Sequence, residues 1–179
     1  MPRLAKLQKD QGDPQAQQMM SQLDAQKMLL NVFRGMANSP AVLDGYLKLN
    51  AALKNGKLSE RTREALALAV GQVNRCDYCL AAHTMIGKEA GLDDASIRDA
   101  RLARSADPKT AAALALAREL AEHRGKVPDA QVAAARSAGL SDGEIAEVVA
   151  HVALNIFTNY FNQMNQTEID VPTVAADVA

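Results

Sequence analysis

Helix-starting and helix-stopping residues punctuate this chain at short intervals, and between them apolar residues recur at helical rather than strand spacing. Ser39 before Pro40 pairs an N-cap with proline at the first helical position, and Val42, Leu43, Tyr46, Leu47, Leu49 and Leu53 follow before Asn55-Gly56 ends the run. Ser59 opens the next helix, whose stripe of Leu66, Ala69, Val70 and Val73 carries it to about Asn74. A helix beginning at Cys-Asp-Tyr-Cys stops at Gly91, Asp93 caps a short one, and Asp107-Pro108 starts an alanine-rich helix that stops near Gly125. Pro128 begins another that ends at Gly139. Ser141 with Glu144 then fits a capping box for the most apolar helix, running through Ile145, Val148, Val152, Ile156 and Tyr160. The expected fold class is all-α. Composition agrees: about a fifth of the 179 residues are alanine, 3% are aromatic and none is tryptophan, which disfavours a sheet built on β-branched and aromatic side chains.

Residues 1–20 are glutamine-rich, contain Gly12 and Pro14 and show no sustained apolar period. The first ordered helix is therefore expected near Ser21, after a flexible or interface arm, with a single helical domain over 21–170 and a tail over 171–179. Met19, Met20, Met28 and Met36 fit an arm that packs at an interface. The segments Ala90–Ile97 and Ala138–Ile145 echo each other as glycine stop, leucine and N-cap, which two helix junctions meet independently or inherit from a duplicated unit. With 20 basic against 21 acidic residues the chain offers no electrostatic footprint for nucleic acid. No apolar stretch is long enough to span a membrane and no secretory leader pattern opens the chain, so a cytoplasmic protein is expected.

In a reducing compartment a close pair of cysteines reads as redox-active or metal-binding. Cys76 and Cys79 lie one helical turn apart, near enough to join as a disulfide, at a helix start where unpaired amides favour thiolate. His83, four residues after Cys79, lies on the same helix face and within reach of its proton. Glu64 lies on the preceding helix. If the two helices form an antiparallel hairpin about residue 75, Glu64 and His83 differ in height by three residues, about 4.5 Å, and a carboxylate, an imidazole and a thiol fall in line. A structural zinc site lacks a fourth nearby ligand, since only the distant His123 and His151 remain, and no cofactor or metal is expected.

The stretch from Arg63 to His83 carries glutamate, eleven residues, Cys-x-x-Cys, three residues and histidine. In this it resembles the AhpD-like alkylhydroperoxidases of the carboxymuconolactone decarboxylase superfamily, and the resemblance runs from about Pro40 to Asp170, including Gly139–Asp142 and the asparagine-rich end at 155–165 that is similar to the longer peroxidase-related members. It implies an AhpD-like helical fold, homo-oligomers based on dimers or trimers and reaching hexamers, and reduction of hydroperoxides at the expense of an external thiol or dithiol. By the same resemblance Cys79 is the peroxidatic thiol, Cys76 resolves it as a disulfide, and Glu64 and His83 relay the proton. The helix dipole alone leaves open which sulfur is the more acidic. The chain departs from the best-known peroxidase members in carrying Tyr78 where they have a second histidine, and from the decarboxylases in having the cysteine pair at all.

The expected activity is thus a thiol-dependent hydroperoxide reductase, an antioxidant enzyme, with a thiol-disulfide oxidoreductase or a non-catalytic redox-sensing oligomer as alternatives. On the last helix His151, Asn155, Thr158 or Asn159, and Asn162 form a polar stripe on an apolar background. Such a stripe reads first as a hydrogen-bonded seam or subunit interface and second as a further wall of the active-site pocket.

Overall fold

The computed structural model describes residues 1–173, and the described residues form nine helices and no strand. In chain order these are α1 (Pro14–Ala25), α2 (Asn31–Met36), α3 (Pro40–Lys54), α4 (Glu60–Val73), α5 (Asp77–Glu89), α6 (Asp94–Arg101), α7 (Pro108–Glu122), α8 (Asp129–Ser137) and α9 (Asp142–Asn165). The expected stops are left-handed glycines, with φ of 87° at Gly91, 84° at Gly125 and 94° at Gly139, a region where a Cβ would be strained. Ser59, Asp93 and Asp107 each accept a backbone N–H of the first turn, and Ser141 and Glu144 close the reciprocal capping box of α9. Ser39 precedes α3 without such a bond.

α4 is the axis of the molecule. It packs on α5, α6, α7 and α9 together, so every residue from Ala65 to Gly71 is buried, where the sequence had indicated a single stripe. The main core gathers Leu66, Leu68 and Val70 of α4 with Leu114, Leu116 and Ala117 of α7 and Val148 and Val152 of α9. A second core lies on the other side of α5, where Cys76, Tyr78 and Cys79 meet Met20, Val32, Phe33, Met36 and Leu43.

The amino-terminal region differs from its expected form. The first helix starts at Pro14, seven residues before Ser21, because Asp13 caps it through the Gln15 N–H and proline occupies its first position. Ala16, Met19 and Met20 have helical spacing, but glutamines on the exposed face dilute the period below recognition. The helix ends at Ala25, and Met19, Met20 and Met36 are buried in the chain's own second core. Ahead of α1 the Arg3 N–H donates to the Asn165 carbonyl at 2.8 Å, the Leu4 N–H to Asn165 Oδ1 at 2.7 Å, and Lys6 pairs with Glu168 at 3.0 Å. Most of the tail expected from residue 171 lies outside the described residues.

Candidate active site

The joint between α4 and α5 sets the site. The Arg75 N–H donates to the Gln72 carbonyl and the Cys76 N–H to the Gly71 carbonyl, the two bonds of a Schellman turn, with Arg75 left-handed at φ 53°. Cys76 is thereby both the last residue of that turn and the N-cap of α5, where its Sγ accepts the Cys79 N–H at 3.3 Å. With one residue between the cap of α4 and the cap of α5, the two helices run antiparallel in close contact. Cys76 and Cys79 are joined as a disulfide, with Cα atoms 5.3 Å apart, and both are buried.

The hairpin register brings the side chains of Glu64 and His83 into direct contact. Glu64 Oε2 and His83 Nδ1 are 2.7 Å apart, and both groups are largely shielded from solvent. Beside them opens a cavity of about 140 Å³ whose wall includes Cys79, His83, Glu64 and Tyr78 but not Cys76. The two sulfurs are thus unequal. Cys79 faces the cavity, whereas Cys76 sits against the first-turn amides of α5.

The α9 stripe supplies the facing wall. His151, Asn155, Thr158 and Asn162 all line the cavity, while Asn159 turns away and accepts Asn74 Nδ2 at 2.8 Å. The pocket-wall reading of the stripe, the second of the two expected, therefore describes four of these five residues. Asn162 Nδ2 donates to Cys79 Sγ at 3.5 Å, and its Oδ1 has no partner among the described residues. His151 is also buried with an unpartnered Nε2, and burial, followed by the charge of Arg63, lowers its pKa. Both effects favour the neutral imidazole.

Tyr78 has no free proton to offer. Its hydroxyl donates to Asp170 Oδ1 at 2.8 Å and accepts the Val32 N–H at 3.3 Å, while Asp170 Oδ2 accepts the Asn31 N–H at 2.7 Å. Burial first, and then the Asp170 carboxylate, pushes the phenol far above its ordinary pKa. The residue between the cysteines is a strut tying α5 to the start of α2 and to the segment after α9. Asp170 gave no signal in the sequence, because a lone carboxylate near the end of a chain has no period or motif to mark it. Tyr46, whose pKa is raised to about 12 by burial and then by the Glu64 charge, lines the cavity and packs between Phe33 and Phe157 with tilted rings at centroid distances of 5.5 and 6.4 Å.

Glu119, Glu122 and His123 at the end of α7 could share a cation, their ligand atoms lying within 4.8 Å of one another, but α7 contributes nothing to the cavity wall. None of the described helices is long and apolar enough to cross a membrane.

Residues 40–123 match the model of the carboxymuconolactone decarboxylase family. An uncharacterized protein of Haemophilus influenzae is 44% identical over 45 residues, a match covering 25% of this chain and 40% of that protein's length. Over nearly the whole chain the fold matches solved structures. A peroxidase-related protein with an alkylhydroperoxidase AhpD core from Ralstonia eutropha JMP134 superposes with a TM-score of 0.84 at 21% identity, covering 94% of this chain and 92% of that one. A peroxidase-related protein from Silicibacter sp. TM1040 gives 0.79 at 20% identity, with 94% of each chain covered. The debrominase Bmp8, as a cysteine-to-alanine variant in complex with 2,3,4-tribromopyrrole, gives 0.79 at 17% identity, with 95% and 92% covered. Over residues 40–123 the chain thus matches the carboxymuconolactone decarboxylase family, and its fold is AhpD-like.

Proposed function

We propose that this protein is a thiol-dependent hydroperoxide reductase in which Cys79 is oxidised and Cys76 resolves it. The observation that carries the proposal is the 2.7 Å contact between Glu64 and His83 at the wall of the cavity onto which Cys79 opens. In the reduced enzyme His83, oriented by Glu64, takes the Cys79 proton. The thiolate attacks the distal oxygen of the hydroperoxide; the S–O bond forms as the O–O bond breaks, and the leaving alkoxide receives the proton from His83 as an alcohol. Cys79 is then a sulfenic acid. The Cys76 thiolate attacks its sulfur, expelling hydroxide that takes up the Cys76 proton as water, and the disulfide forms. An external thiol or dithiol supplies the two electrons that return both sulfurs to thiols by exchange.

Asn162 supports the same chemistry. Its amide donor at the Cys79 sulfur stabilises the thiolate more than the thiol, as does the helix start of α5. Tyr78 stands outside this relay, which leaves Glu64 and His83 as the groups that move the proton.

The protein works as a homo-oligomer in this proposal. Val149, Phe157, Tyr160 and Met164 form an exposed apolar stripe along α9, and Leu49 of α3 is also exposed. Phe157 stacks on Tyr46 of the cavity wall, so a second copy seated on the stripe would brace the site from behind.

The decisive experiment is stopped-flow mixing of reduced protein with hydrogen peroxide and cumene hydroperoxide, following thiol loss and weighing the product. Loss faster than that of a free thiol, ending in the Cys76–Cys79 disulfide and abolished by Cys79→Ser, is the expected result. Loss no faster than a free thiol in solution overturns the proposal. The debrominase likeness is tested in the same apparatus by offering 2,3,4-tribromopyrrole.

A further inference from the structure

The cavity wall carries a guanidinium that has no ion-pair partner among the described residues. Arg63 of α4 lines it and donates one Nη1 bond to the Leu58 carbonyl at 2.7 Å, which holds the guanidinium in place and leaves its other donors open. No carboxylate among the described residues pairs with it: Glu64 is engaged by His83, and Glu60, at the cavity rim, lies beyond ion-pair distance. Lys54, exposed at the same rim, also has no ion-pair partner among the described residues.

A second unmet group stands nearby on α9. His151 is 4% exposed, lines the cavity and has a buried Nε2 without a partner. After burial, the Arg63 charge lowers its pKa, while the Glu147 and Glu64 carboxylates act in the opposite direction. Buried polar atoms are normally satisfied, and an orphan imidazole nitrogen beside an unneutralised guanidinium has the form of a site lacking its ligand. The planar fork of arginine matches a carboxylate. Met28, Leu30, Val32, Phe33 and Leu154 give part of the wall an apolar lining.

We infer that Arg63, with His151 beside it, forms a carboxylate subsite, so that the preferred hydroperoxide carries a carboxylate on a compact apolar body. A volume of about 140 Å³ suits a body about the size of one aromatic ring. The inference rests on the proposed hydroperoxide chemistry for the reacting end of the substrate alone; the anion subsite is separable from it and is tested separately.

The experiment has a binding arm and a turnover arm. Calorimetric titration of the full chain with benzoate and with its uncharged analogue benzamide should give at least about tenfold tighter binding of benzoate. That advantage should fall below about twofold in Arg63→Gln, survive in large part in Arg63→Lys, and persist in Arg104→Gln, which alters a separate pocket between α4, α6 and α7. In the turnover arm, kcat/KM for 4-carboxycumene hydroperoxide over that for cumene hydroperoxide should follow the same order among the variants. Equal binding of benzoate and benzamide to the wild type overturns the inference, as does a benzoate preference untouched by Arg63→Gln or removed by Arg104→Gln. Failure to reduce either peroxide would remove the hydroperoxide proposal while the benzoate titration still decides the subsite. Because the wild-type comparison needs no variant, a folding defect in Arg63→Gln leaves the outcome readable.

Discussion

Asn162 reaches across from α9 to place its Nδ2 3.5 Å from the sulfur of Cys79, so two helices distant in sequence meet at the atom expected to react. Replacing it with alanine removes a hydrogen bond that favours the thiolate. Asn162→Ala should raise the Cys79 pKa and slow the reaction with cumene hydroperoxide by about tenfold, the equivalent of one hydrogen bond to a charged group. Thiolate absorbance against pH, with stopped-flow rates on the same samples, measures both.

Glu64→Gln keeps the shape of the carboxylate but cannot stabilise an imidazolium. A proton relay of this kind is worth about 10²–10⁴ in rate, so a loss of at least about tenfold in kcat is expected for Glu64→Gln, and a larger one for His83→Phe. The rate of disulfide reduction by an added dithiol should change less, because that step breaks no O–O bond. An equal loss in both half-reactions would point to a general structural role.

Tyr78→Phe deletes the hydroxyl shared by Asp170 and the Val32 N–H, leaving the buried Val32 N–H without this acceptor while Asp170 keeps only the Asn31 N–H. The expected cost is about 1–3 kcal/mol in urea unfolding, with a rate penalty well below that of Glu64→Gln. A collapse in rate with unchanged stability would place Tyr78 in the relay after all.

Glu144 provides a pH signature of stability. Its hydrogen bonds to Lys109 first, and then to the Ser141 cap, hold its pKa at about 2, below the ordinary 4.5. A folded-state pKa below the unfolded one adds stability that is present above pH 4.5 and is lost as pH falls through that value toward 2. In Glu144→Gln the part of the acid destabilisation due to this group should disappear, read as a smaller fall in melting temperature between pH 5 and about pH 2.5 than in the wild type.

Tyr160 is 60% exposed at the centre of the α9 stripe. A charge there would be costly only if a partner covers it. Tyr160→Glu should lower the mass measured by sedimentation while leaving the helical circular dichroism of the isolated chain intact.

Capping residues and spacing made most of this fold legible in the sequence, because caps act within one turn and need no knowledge of distant partners. Ser59, Asp93, Asp107, Ser141 and the stops at Gly91, Gly125 and Gly139 mark real boundaries. α1 escaped notice although Asp13-Pro14 is a start signal of the same kind, since its buried face is only a few residues wide. Glu64 and His83 could be brought together on paper because both lie a countable number of residues from a single joint. Asn162 and His151 could be read as one polar stripe with a pocket wall as its second reading, and Arg63 was not marked at all, because the rotation of α9 against α4 and α5 depends on packing across the whole core rather than on chain spacing. Asp170 lies further still from any local rule. Its link to Tyr78 arises from where the segment after α9 crosses the start of α2.

The Schellman turn at Arg75 ends one helix with a bond to the backbone of the very cysteine that begins the next. That shared residue makes the loop intolerant of changes in length. Adding or deleting one residue between Asn74 and Cys76 would turn α5 by about 100° about its own axis relative to α4, carrying His83 off Glu64 and swinging Cys79 away from the cavity in a single stroke. Insertions between α6 and α7 or between α7 and α8 would leave the α4–α5 joint as it is. Over evolutionary time, natural variation in length should therefore collect in those outer loops and spare this hinge, so that an aligned set of homologues would show gaps in those loops and none at residues 64–83.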